Sequence, residues 1–556
     1  MKVDINLLII FFSSIIFLLF INSLTNNAEK ILQYLFKIKS FFKIRKLQKY
    51  FFTYEKFNRI IYLNKKKYFY FNHYLFLFKD LNKKVNLKKK FRKLIIVFFS
   101  KNKFFNYILD GINFNRIISN NSINYFKINV ENKKFFEFKI DKNDLVLKTF
   151  YVKKSKKKKL VLILFLDGLS NQLSNFLINS NKFFSKNNKF SNVFTNGSWT
   201  LPTFSNLVTG QYTSTHLNFK PVSYYSNLKI LNNFFQSTSL KTEFNIFQFF
   251  KSQEFITSCY SPYVRINPTY NFDNGVDIFK FCENENTSEI IDNIISQLEM
   301  FDENSNFIFA HLFDVHSKAK NIFQLSDYAY YSDKNYNYKD KLSAEKKIKS
   351  KKDKFIKFKN FNEQQEIIND VKFCDLRLNS LYNYLNRKNF DDYTVILMGD
   401  HGTRMNELDC NGIINVKYNN IGFFIKDKKN NFKNKRNNLI ETIDLFPSLA
   451  ARYSKNKVNS KILNQFDGRN TLYSNFNKKF TISENIYDND YDILINDKNN
   501  SLLSSYKINK NLSIIHYNNN FNDNLGNKIK SPKNELVKKL KAIEKTHLKN
   551  SNLLTS

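Results

Sequence analysis

The sequence predicts an α/β fold in which a mostly parallel central sheet lies between helix layers. Two apolar runs, Leu160 to Leu166 and Thr394 to Met398, have the length and composition of strands that are buried on both faces. Around them, short apolar runs alternate with amphipathic stretches of helical spacing, which is the order expected of strand–helix units. A small C-terminal β subdomain and an N-terminal appendage of helices and strands complete the predicted architecture.

Length and composition limit the class of protein. The chain has 556 residues, enough for one large domain with appendages, and its 42% hydrophobic content exceeds that of disordered proteins. The net charge of +40 is spread along the chain and accompanies no recognition motif. We therefore expect no nucleic-acid partner, but attraction to anionic substrates or lipid surfaces. The 4 cysteines form no CxxC pair and imply no disulfide framework.

The first 28 residues contain an uncharged, almost wholly apolar run from Ile5 to Leu24. Its length matches the roughly 20 residues that cross a bilayer core. Lys2 precedes it, which also suits a signal peptide, but no small-residue cleavage site is evident near Ser23 to Ala28. We predict a single N-terminal membrane anchor of open orientation, with an exported or periplasmic protein as the alternative.

Two further segments precede the core. Residues 29–115 interleave Phe, Tyr, Leu and Ile with Lys, which we interpret as a basic, aromatic helical appendage. It either lies on a membrane surface or is an ordinary solvated appendage. Residues 116–157 alternate apolar and polar positions before a run of lysines, which predicts a small β unit and a basic linker.

The core is predicted at residues 158–478 and the C-terminal part at 479–556. Further core strands and helices are predicted, in chain order, at Phe255 to Tyr260 (strand), Ile290 to Phe301 (helix), Phe307 to Leu312 (strand), Asn362 to Asn386 (helix) and Ile421 to Ile425 (strand). Lys318 to Lys359 is polar and predicts an insertion over the cleft. Apolar and polar residues alternate from Thr481 to Tyr517, which predicts a small sheet. The residues from Asn534 to Lys549 predict a final amphipathic helix.

The stretch from Ser198 to His216 has the features of a short helix. Pro202 suits a first helical turn, and Gly210 suits the end. Thr200 then lies at the helix start, where backbone N–H groups attract an anion such as phosphate or sulfate. The alternative is that Thr200 only caps the helix.

Acidic residues follow both core strands, as Asp167-Gly and as Asp400-His401-Gly. Ligands of open α/β sheets bind at the carboxyl ends of the strands, so both acids should face one cleft. Two carboxylates, an imidazole and the Thr200 hydroxyl would suit a divalent metal ion, with Zn, Mn, Mg and Ca all compatible. The alternative is that each aspartate caps the helix that follows.

Together these motifs resemble the sulfatase branch of the alkaline phosphatase superfamily. The matching segments are Leu-Phe-Leu-Asp167-Gly, Ser-Trp-Thr200-Leu-Pro-Thr, His311-Leu-Phe-Asp314-Val-His316, Gly-Asp400-His401-Gly and Glu441-Thr-Ile-Asp444-Leu-Phe-Pro447. The resemblance covers roughly residues 158 to 515 and rests on the combination, because each motif is short. It implies an alkaline phosphatase/sulfatase-like fold and an enzyme that acts on esters.

The resemblance also implies roles for individual residues. Thr200 stands where sulfatases have a cysteine that is oxidised to an aldehyde, and would form a covalent ester with the transferred group. The implied metal ligands are Asp167, Thr200, Asp400 and His401. His316 matches the histidine that protonates the leaving oxygen, and His216 is a further catalytic candidate. Weaker candidates for anion contacts are His311, Arg265, Arg404 and Lys417, and ordinary surface charge is the alternative for the last three.

The departures from the family pattern bear on the substrate. Ordinary sulfatases have paired aspartates where this chain has Asp167-Gly168. A single-metal centre with a threonine nucleophile resembles the phosphoethanolamine and phosphoglycerol transferases. We therefore predict hydrolysis or transfer of phosphate esters, with an envelope lipid or glycan as substrate. The alternatives are a sulfuric ester hydrolase and an inactive anion-binding or membrane scaffold protein.

Overall fold

The computed structural model describes most of the core and parts of both ends of the chain. The described residues are 59–63, 66–71, 74–77, 84–87, 91–100, 104–117, 119, 122–139, 145–153, 158–185, 188–216, 244–262, 266, 271–281, 286–315, 361–402, 416–454, 464–487, 490–497, 499–508, 514–523 and 534–543. The predicted insertion at Lys318 to Lys359 lies outside them.

Strands and helices alternate through the core, whereas both ends are rich in strands. The strands are β1 Arg59–Leu63, β2 Lys66–Phe71, β3 Tyr74–Leu77, β4 Lys84–Asn86, β5 Phe91–Ser100, β6 Phe104–Leu109, β7 Ile112–Ile117, β8 Ser122–Asn129, β9 Phe135–Lys139, β10 Leu145–Lys153, β11 Lys159–Leu166, β12 Lys189–Phe190, β13 Val193–Phe194, β14 Ile256–Ser261, β15 Ile278–Phe281, β16 Asn306–Leu312, β17 Asp392–Gly399, β18 Phe423–Asp427, β19 Ile440–Glu441, β20 Thr481–Tyr487, β21 Asp490–Asn496, β22 Asn500–Ile508 and β23 Ile514–Asp523. The helices are α1 Ile178–Phe184, α2 Thr200–Thr209, α3 Thr213–His216, α4 Ile246–Ser252, α5 Thr287–Met300, α6 Phe361–Arg387, α7 Val416–Asn419, α8 Leu445–Tyr453 and α9 Asn534–Ile543, with 3-10 turns at Leu173–Phe176 and Thr442–Asp444.

Within the part of the chain that the structure describes, the central sheet has ten strands in the order β1-β2-β3-β15-β14-β16-β11-β17-β18-β12. Strand β11 lies between β16 and β17 and runs parallel to both, with Leu166 opposite Leu312 and Gly399. The carboxyl ends of these three strands therefore meet at one edge of the sheet. Strand β18 is antiparallel to both of its neighbours, so the sheet is mixed but parallel at its centre. The α/β fold class is confirmed.

Strand β11 explains why its sequence is apolar without alternation. Ile163 and Phe165 face one core cluster, which helices α2, α4 and α8 complete. Leu162 and Leu164 face a second cluster, which helices α1, α5 and α6 complete. Because helices cover both faces of the sheet, every position of the strand after Lys159 is buried, as the continuous run predicts.

The prediction of a helical appendage at residues 29–115 is wrong for the part that the structure describes. Those residues form strands β1 to β7. Aromatic and β-branched side chains pack well on a pleated sheet. In β6, buried positions alternate with more exposed ones, a period of two rather than of 3.6. The interleaved lysines gave this stretch an amphipathic composition without a helical period.

The strands that precede the core pack against it. Strand β3 pairs with β15, so β1 to β3 extend the central sheet. Strand β10 pairs with β5, so the predicted β unit at residues 116–157 shares a sheet with the segment before it. The ring of Phe150 meets that of Phe301 edge to face at 5.0 Å. Lys148 also forms an ion pair with Asp277, at 2.6 Å.

The predicted small C-terminal sheet is present as the antiparallel strands β20 to β23. Helix α9 packs on it through Leu536 and Leu540. An isolated bridge between Gly197 and Glu484 joins this sheet to the segment just before helix α2. The C-terminal sheet therefore contacts the segment that leads to Thr200.

No helix among the described residues is both long and apolar enough to cross a membrane. This finding overturns our prediction of a membrane-anchored protein with a single N-terminal span. The segment predicted for it, Ile5 to Leu24, lies outside the described residues. Length and hydropathy were the only support for that span, and the apolar residues of this chain form strands in many other places.

Candidate active site and metal centre

Asp167 and Asp400 are adjacent because their strands are paired in register. Each follows the last residue of its strand, and both are fully buried. Asp400 Oδ1 accepts hydrogen bonds from the backbone N–H groups of Gly168, at 2.8 Å, and His401, at 2.7 Å. These two bonds fix the carboxylate, so that its Oδ2 atom faces the remaining groups of the site.

Thr200 contributes a hydroxyl to the same site. It is the first residue of α2, and Trp199 is the N-cap residue, so the Thr200 side chain is not a cap. Its Oγ1 atom donates to Asp400 Oδ2 at 2.8 Å and lies 3.3 Å from Asp167 Oδ2. The helix ends at Gly210, which has a left-handed φ of 70°, as the sequence predicts.

His401 completes a set of three possible metal ligands. Its Nε2 atom lies 3.1 Å from Asp400 Oδ2 and 3.9 Å from Asp167 Oδ1. One ligand atom from each of the three residues lies within 4.8 Å of the others. The Nδ1 atom of His401 lies 3.0 Å from the carbonyl oxygen of Gly402. A carbonyl oxygen only accepts, so Nδ1 carries a hydrogen, and Nε2 is the ring nitrogen that faces the carboxylates and could bind a metal ion.

The donor set fits a divalent metal ion. Two buried carboxylates and an imidazole nitrogen surround one point, where a cation would neutralise the charge of the two acids. Burial and the nearby Asp167 carboxylate raise the pKa of Asp400. Without a cation the two acids therefore resist full ionisation. Carboxylate oxygens with one imidazole nitrogen suit Zn, Mn, Mg or Ca.

His311 lies beside this set, at the end of β16. It is fully buried, its Nε2 atom lies 3.3 Å from Asp167 Oδ2, and its Nδ1 atom lies 3.4 Å from Ser261 Oγ. The sequence suggested a contact with the substrate anion, whereas the structure places His311 against a candidate metal ligand. Its position at the end of a buried strand next to β11 is the signal that links it to the site.

His216, predicted to be catalytic, is not one of the three clustered candidate ligands. Its Nε2 atom lies 3.0 Å from the side-chain amide of Asn206. Asn206 is six residues beyond Thr200 in helix α2, or about 9 Å along the helix axis. Burial lowers the pKa of His216 to about 3, so this histidine is neutral near pH 7.

Four other predicted residues cannot be placed in the site. His316, Arg265 and Arg404 lie outside the described residues, and Lys417 belongs to α7 with its side chain outside them. Asp314, from the motif that contains His316, accepts a hydrogen bond from the backbone N–H of Thr287 at 2.9 Å. It thereby binds the start of helix α5.

Tyr418 is a residue of the site that the sequence did not indicate. Its hydroxyl lies 3.0 Å from His401 Nδ1, and its ring stacks on the imidazole with a centroid distance of 5.2 Å. The two residues are 17 positions apart, and the motif around His401 ends before Tyr418. Only the tertiary structure brings them together.

The site thus combines two acids and a histidine at the strand ends with a hydroxyl at the start of helix α2, and the family to which the chain belongs is one of ester hydrolases of the alkaline phosphatase superfamily. The sulfatase family model matches residues 159–454, which is more than half of the chain. The chain therefore belongs to the sulfatase family, whose enzymes depend on a bound metal ion. A comparison with curated proteins finds no match.

Solved structures are similar to this chain at low sequence identity. A phosphonate monoester hydrolase from Silicibacter pomeroyi has a TM-score of 0.50 and 11% identity, covering 71% of this chain and 96% of that chain. A putative sulfatase from Bacteroides thetaiotaomicron has a TM-score of 0.49 and 11% identity, covering 72% of this chain and 93% of that chain. A protein in the alkaline phosphatase superfamily from Vibrio parahaemolyticus has a TM-score of 0.44 and 14% identity, covering 72% and 89%.

Proposed function

We propose that this enzyme hydrolyses or transfers phosphate esters through a covalent ester on Thr200. The observation that carries the proposal is the position of the Thr200 hydroxyl, which donates to Asp400 Oδ2 at 2.8 Å. A hydroxyl bonded to a buried carboxylate is oriented for attack and has an acceptor for its proton. The oxygen also lies at the start of helix α2, where the helix dipole favours the anionic group under attack.

Asp167, Asp400 and His401 would hold a single divalent metal ion, with the Thr200 hydroxyl as a fourth donor. Such an ion would lower the pKa of the hydroxyl and neutralise charge on the transferred group. The protein supplies the orientation, because backbone N–H groups fix Asp400 and the Gly402 carbonyl fixes His401. All three side chains are buried, and only His401 is measurably exposed.

The residue after Asp167 supports a phosphate ester over a sulfate ester. Gly168 occupies the place of the second aspartate of ordinary sulfatases, and its φ of 76° is one that residues with a side chain rarely adopt. Its backbone N–H donates to Asp400 at 2.8 Å, so the turn itself supports the site. This backbone favours a centre with fewer carboxylates, as expected from the resemblance to the phosphotransferases.

The second candidate function is hydrolysis of a sulfuric ester, which membership of the sulfatase family favours. Phosphate and sulfate esters are both tetrahedral anions, and the net charge of +40 would attract either on a lipid or a glycan. An inactive anion-binding protein is less well supported. Such a protein would have no need for a threonine hydroxyl, two acids and a histidine held in contact with one another.

Turnover of paired generic esters would test the proposal. The full chain, stripped of metal and then supplied with single metals, would be assayed with nitrophenyl phosphate monoester and diester and with nitrophenyl sulfate. Thr200→Ala should abolish turnover. Thr209→Ala is the matched control, because Thr209 lies at the other end of helix α2 and its hydroxyl bonds the Ser205 carbonyl at 2.7 Å.

Metal-dependent turnover of a phosphate ester that Thr200→Ala abolishes and Thr209→Ala retains would support the proposal. Faster turnover of the sulfate would support the second candidate. Equal rates for Thr200→Ala and the wild type would refute Thr200 as the nucleophile. If no metal is retained and no ester is cleaved, the anion-binding alternative would be favoured.

A further inference from the structure

We propose that Tyr418 is a positioning residue, which holds the imidazole of His401 in the orientation and tautomer that bind a metal ion through Nε2. The inference rests on the metal centre of the proposed function and adds a residue to it. Tyr418 would act through its contacts with His401.

Two contacts join Tyr418 to His401. The Tyr418 hydroxyl lies 3.0 Å from Nδ1, the ring nitrogen that faces away from the carboxylates. The two rings are nearly parallel, with an interplanar angle of 15° and centroids 5.2 Å apart. The hydrogen bond limits rotation of the imidazole within its plane, and the stacking limits tilting of that plane. Together they restrict the direction in which Nε2 points.

The backbone holds Tyr418 in this place. The N–H of Gly402, the residue after His401, donates to the Tyr418 carbonyl oxygen at 2.7 Å. A side chain at Gly402 would put its Cβ atom 2.8 Å from that oxygen and 3.2 Å from Ser170 Cβ. The glycine of the Asp-His-Gly motif therefore permits the close approach of Tyr418, which explains why this position has no side chain.

The tautomer follows from the acceptors around Nδ1. The Gly402 carbonyl and the Tyr418 hydroxyl oxygen both lie 3.0 Å from it. A hydrogen on Nδ1 can be shared between these two acceptors, which leaves the Nε2 lone pair for a metal ion. The carbonyl alone could select this tautomer, so the phenol adds a second acceptor and fixes the ring. Its removal should weaken metal binding without abolishing it.

Metal affinity of two tyrosine variants would test the inference. Tyr418→Phe retains the stacked ring and loses the hydroxyl. Tyr384→Phe is the matched control, because its hydroxyl bonds Glu299 at 2.8 Å on the surface. Equilibrium dialysis of the metal-free full chain against Zn²⁺ or Mn²⁺ would give the affinity, and thermal unfolding in chelator would give the stability without metal.

We expect Tyr418→Phe to bind about 10- to 100-fold more weakly, the range typical of groups that orient a metal-binding histidine, with an unchanged unfolding temperature in chelator. Tyr418→Leu, which also removes the ring, should bind at least as weakly. The control should match the wild type.

Three results would overturn the inference. Wild-type affinity in both Tyr418 variants would show that His401 needs no such support. A fall in unfolding temperature in chelator, with unchanged affinity in the folded fraction, would show a purely structural role. Absence of metal binding by the wild type would instead refute the metal centre on which the inference rests.

Discussion

Replacing Asp400 with asparagine separates the charge of the site from its shape. The Oδ1 atom of asparagine can still accept the N–H groups of Gly168 and His401, which lie 2.8 and 2.7 Å away. The Nδ2 group takes the place of the oxygen near Thr200 Oγ1 and His401 Nε2, and can donate to both. The variant should therefore fold with nearly the same contacts as the wild type.

The change removes repulsion between two buried acids. The ligand atoms of Asp167 and Asp400 lie within 4.8 Å of each other. At an effective dielectric constant of about 20, two unit charges at this separation repel by about 3 kcal/mol. Partial protonation relieves some of this, because burial and Asp167 raise the pKa of Asp400. We expect the metal-free Asp400→Asn variant to be about 1–3 kcal/mol more stable than the metal-free wild type at pH 7.

The pH dependence of this difference has a defined sign. A carboxyl group whose pKa is raised in the folded state costs no stability below its unfolded value of 3.8. The cost develops as the pH rises above that value towards the pKa in the folded state. The stability advantage of Asp400→Asn should accordingly vanish near pH 3.8 and be present at neutral pH.

Metal should reverse the order of the two proteins. A ligand at about 1,000 times its Kd stabilises the folded state by about 4.1 kcal/mol, and the wild type should gain this amount, which exceeds the expected advantage of the metal-free variant. The variant has lost a charged ligand and should gain much less. Urea unfolding of both proteins, in chelator and in saturating metal, would measure the four free energies of unfolding.

Asp375→Asn is a suitable control for this comparison. Asp375 is also buried and accepts the backbone N–H of Ser180 at 2.9 Å, but it lies outside the candidate metal centre. This control should change stability equally with and without metal. Two results would show that our description of the site's electrostatics is wrong. One is an Asp400→Asn variant that is less stable than the wild type in chelator. The other is a variant whose stability increases with metal as much as that of the wild type.

Two further predictions concern buried ionisable side chains outside the metal centre. Burial lowers the pKa of His216 from 6.5 to about 3, so the unfolded chain takes up a proton first as the pH falls, and the free energy of unfolding should fall by up to about 1.4 kcal/mol per pH unit between these values. His216→Gln should flatten that slope, which urea midpoints at pH 7 and pH 5 would measure. An unchanged slope in the variant would refute the prediction. Lys478, whose side chain is 9% exposed, pairs with the buried acids Glu441 and Asp444. Lys478→Met should lower the free energy of unfolding by about 3–5 kcal/mol, because it leaves two buried acids without their partner. Lys479 is an exposed neighbour, and Lys479→Met should change the free energy of unfolding little. Equal effects of the two substitutions would contradict the prediction that Lys478 stabilises the buried acids.

The sequence predicted the central strands and the placing of the acids for one physical reason. A strand with helices on both faces buries the side chains of both faces, so β11 and β17 are visible as continuous apolar runs from Leu160 to Leu166 and from Val395 to Met398. Once two strands are parallel and adjacent, the residues that follow them must meet. Asp167 and Asp400 could therefore be placed at one edge, and Pro202 and Gly210 bracketed the helix that carries Thr200.

The sequence could not predict features that depend on tertiary contacts. The strands before residue 100 interleave lysine with aromatic residues, and whether such a stretch forms a helix or a strand depends on the sheet that it joins, here through β3 and β15. Tyr418 meets His401 only because the chain returns to Gly402. His216 is close to Thr200 in sequence but contacts the far half of helix α2 at Asn206.

The most direct test of the central claim is detection of the covalent intermediate. The metal-loaded enzyme would be mixed with a phosphate ester, quenched in acid within one turnover, digested, and analysed by mass spectrometry. Our account predicts a phosphoryl group on the peptide that contains Thr200, and none on that peptide in Thr200→Ala. A phosphoryl group on another residue, or turnover that persists in Thr200→Ala, would contradict it.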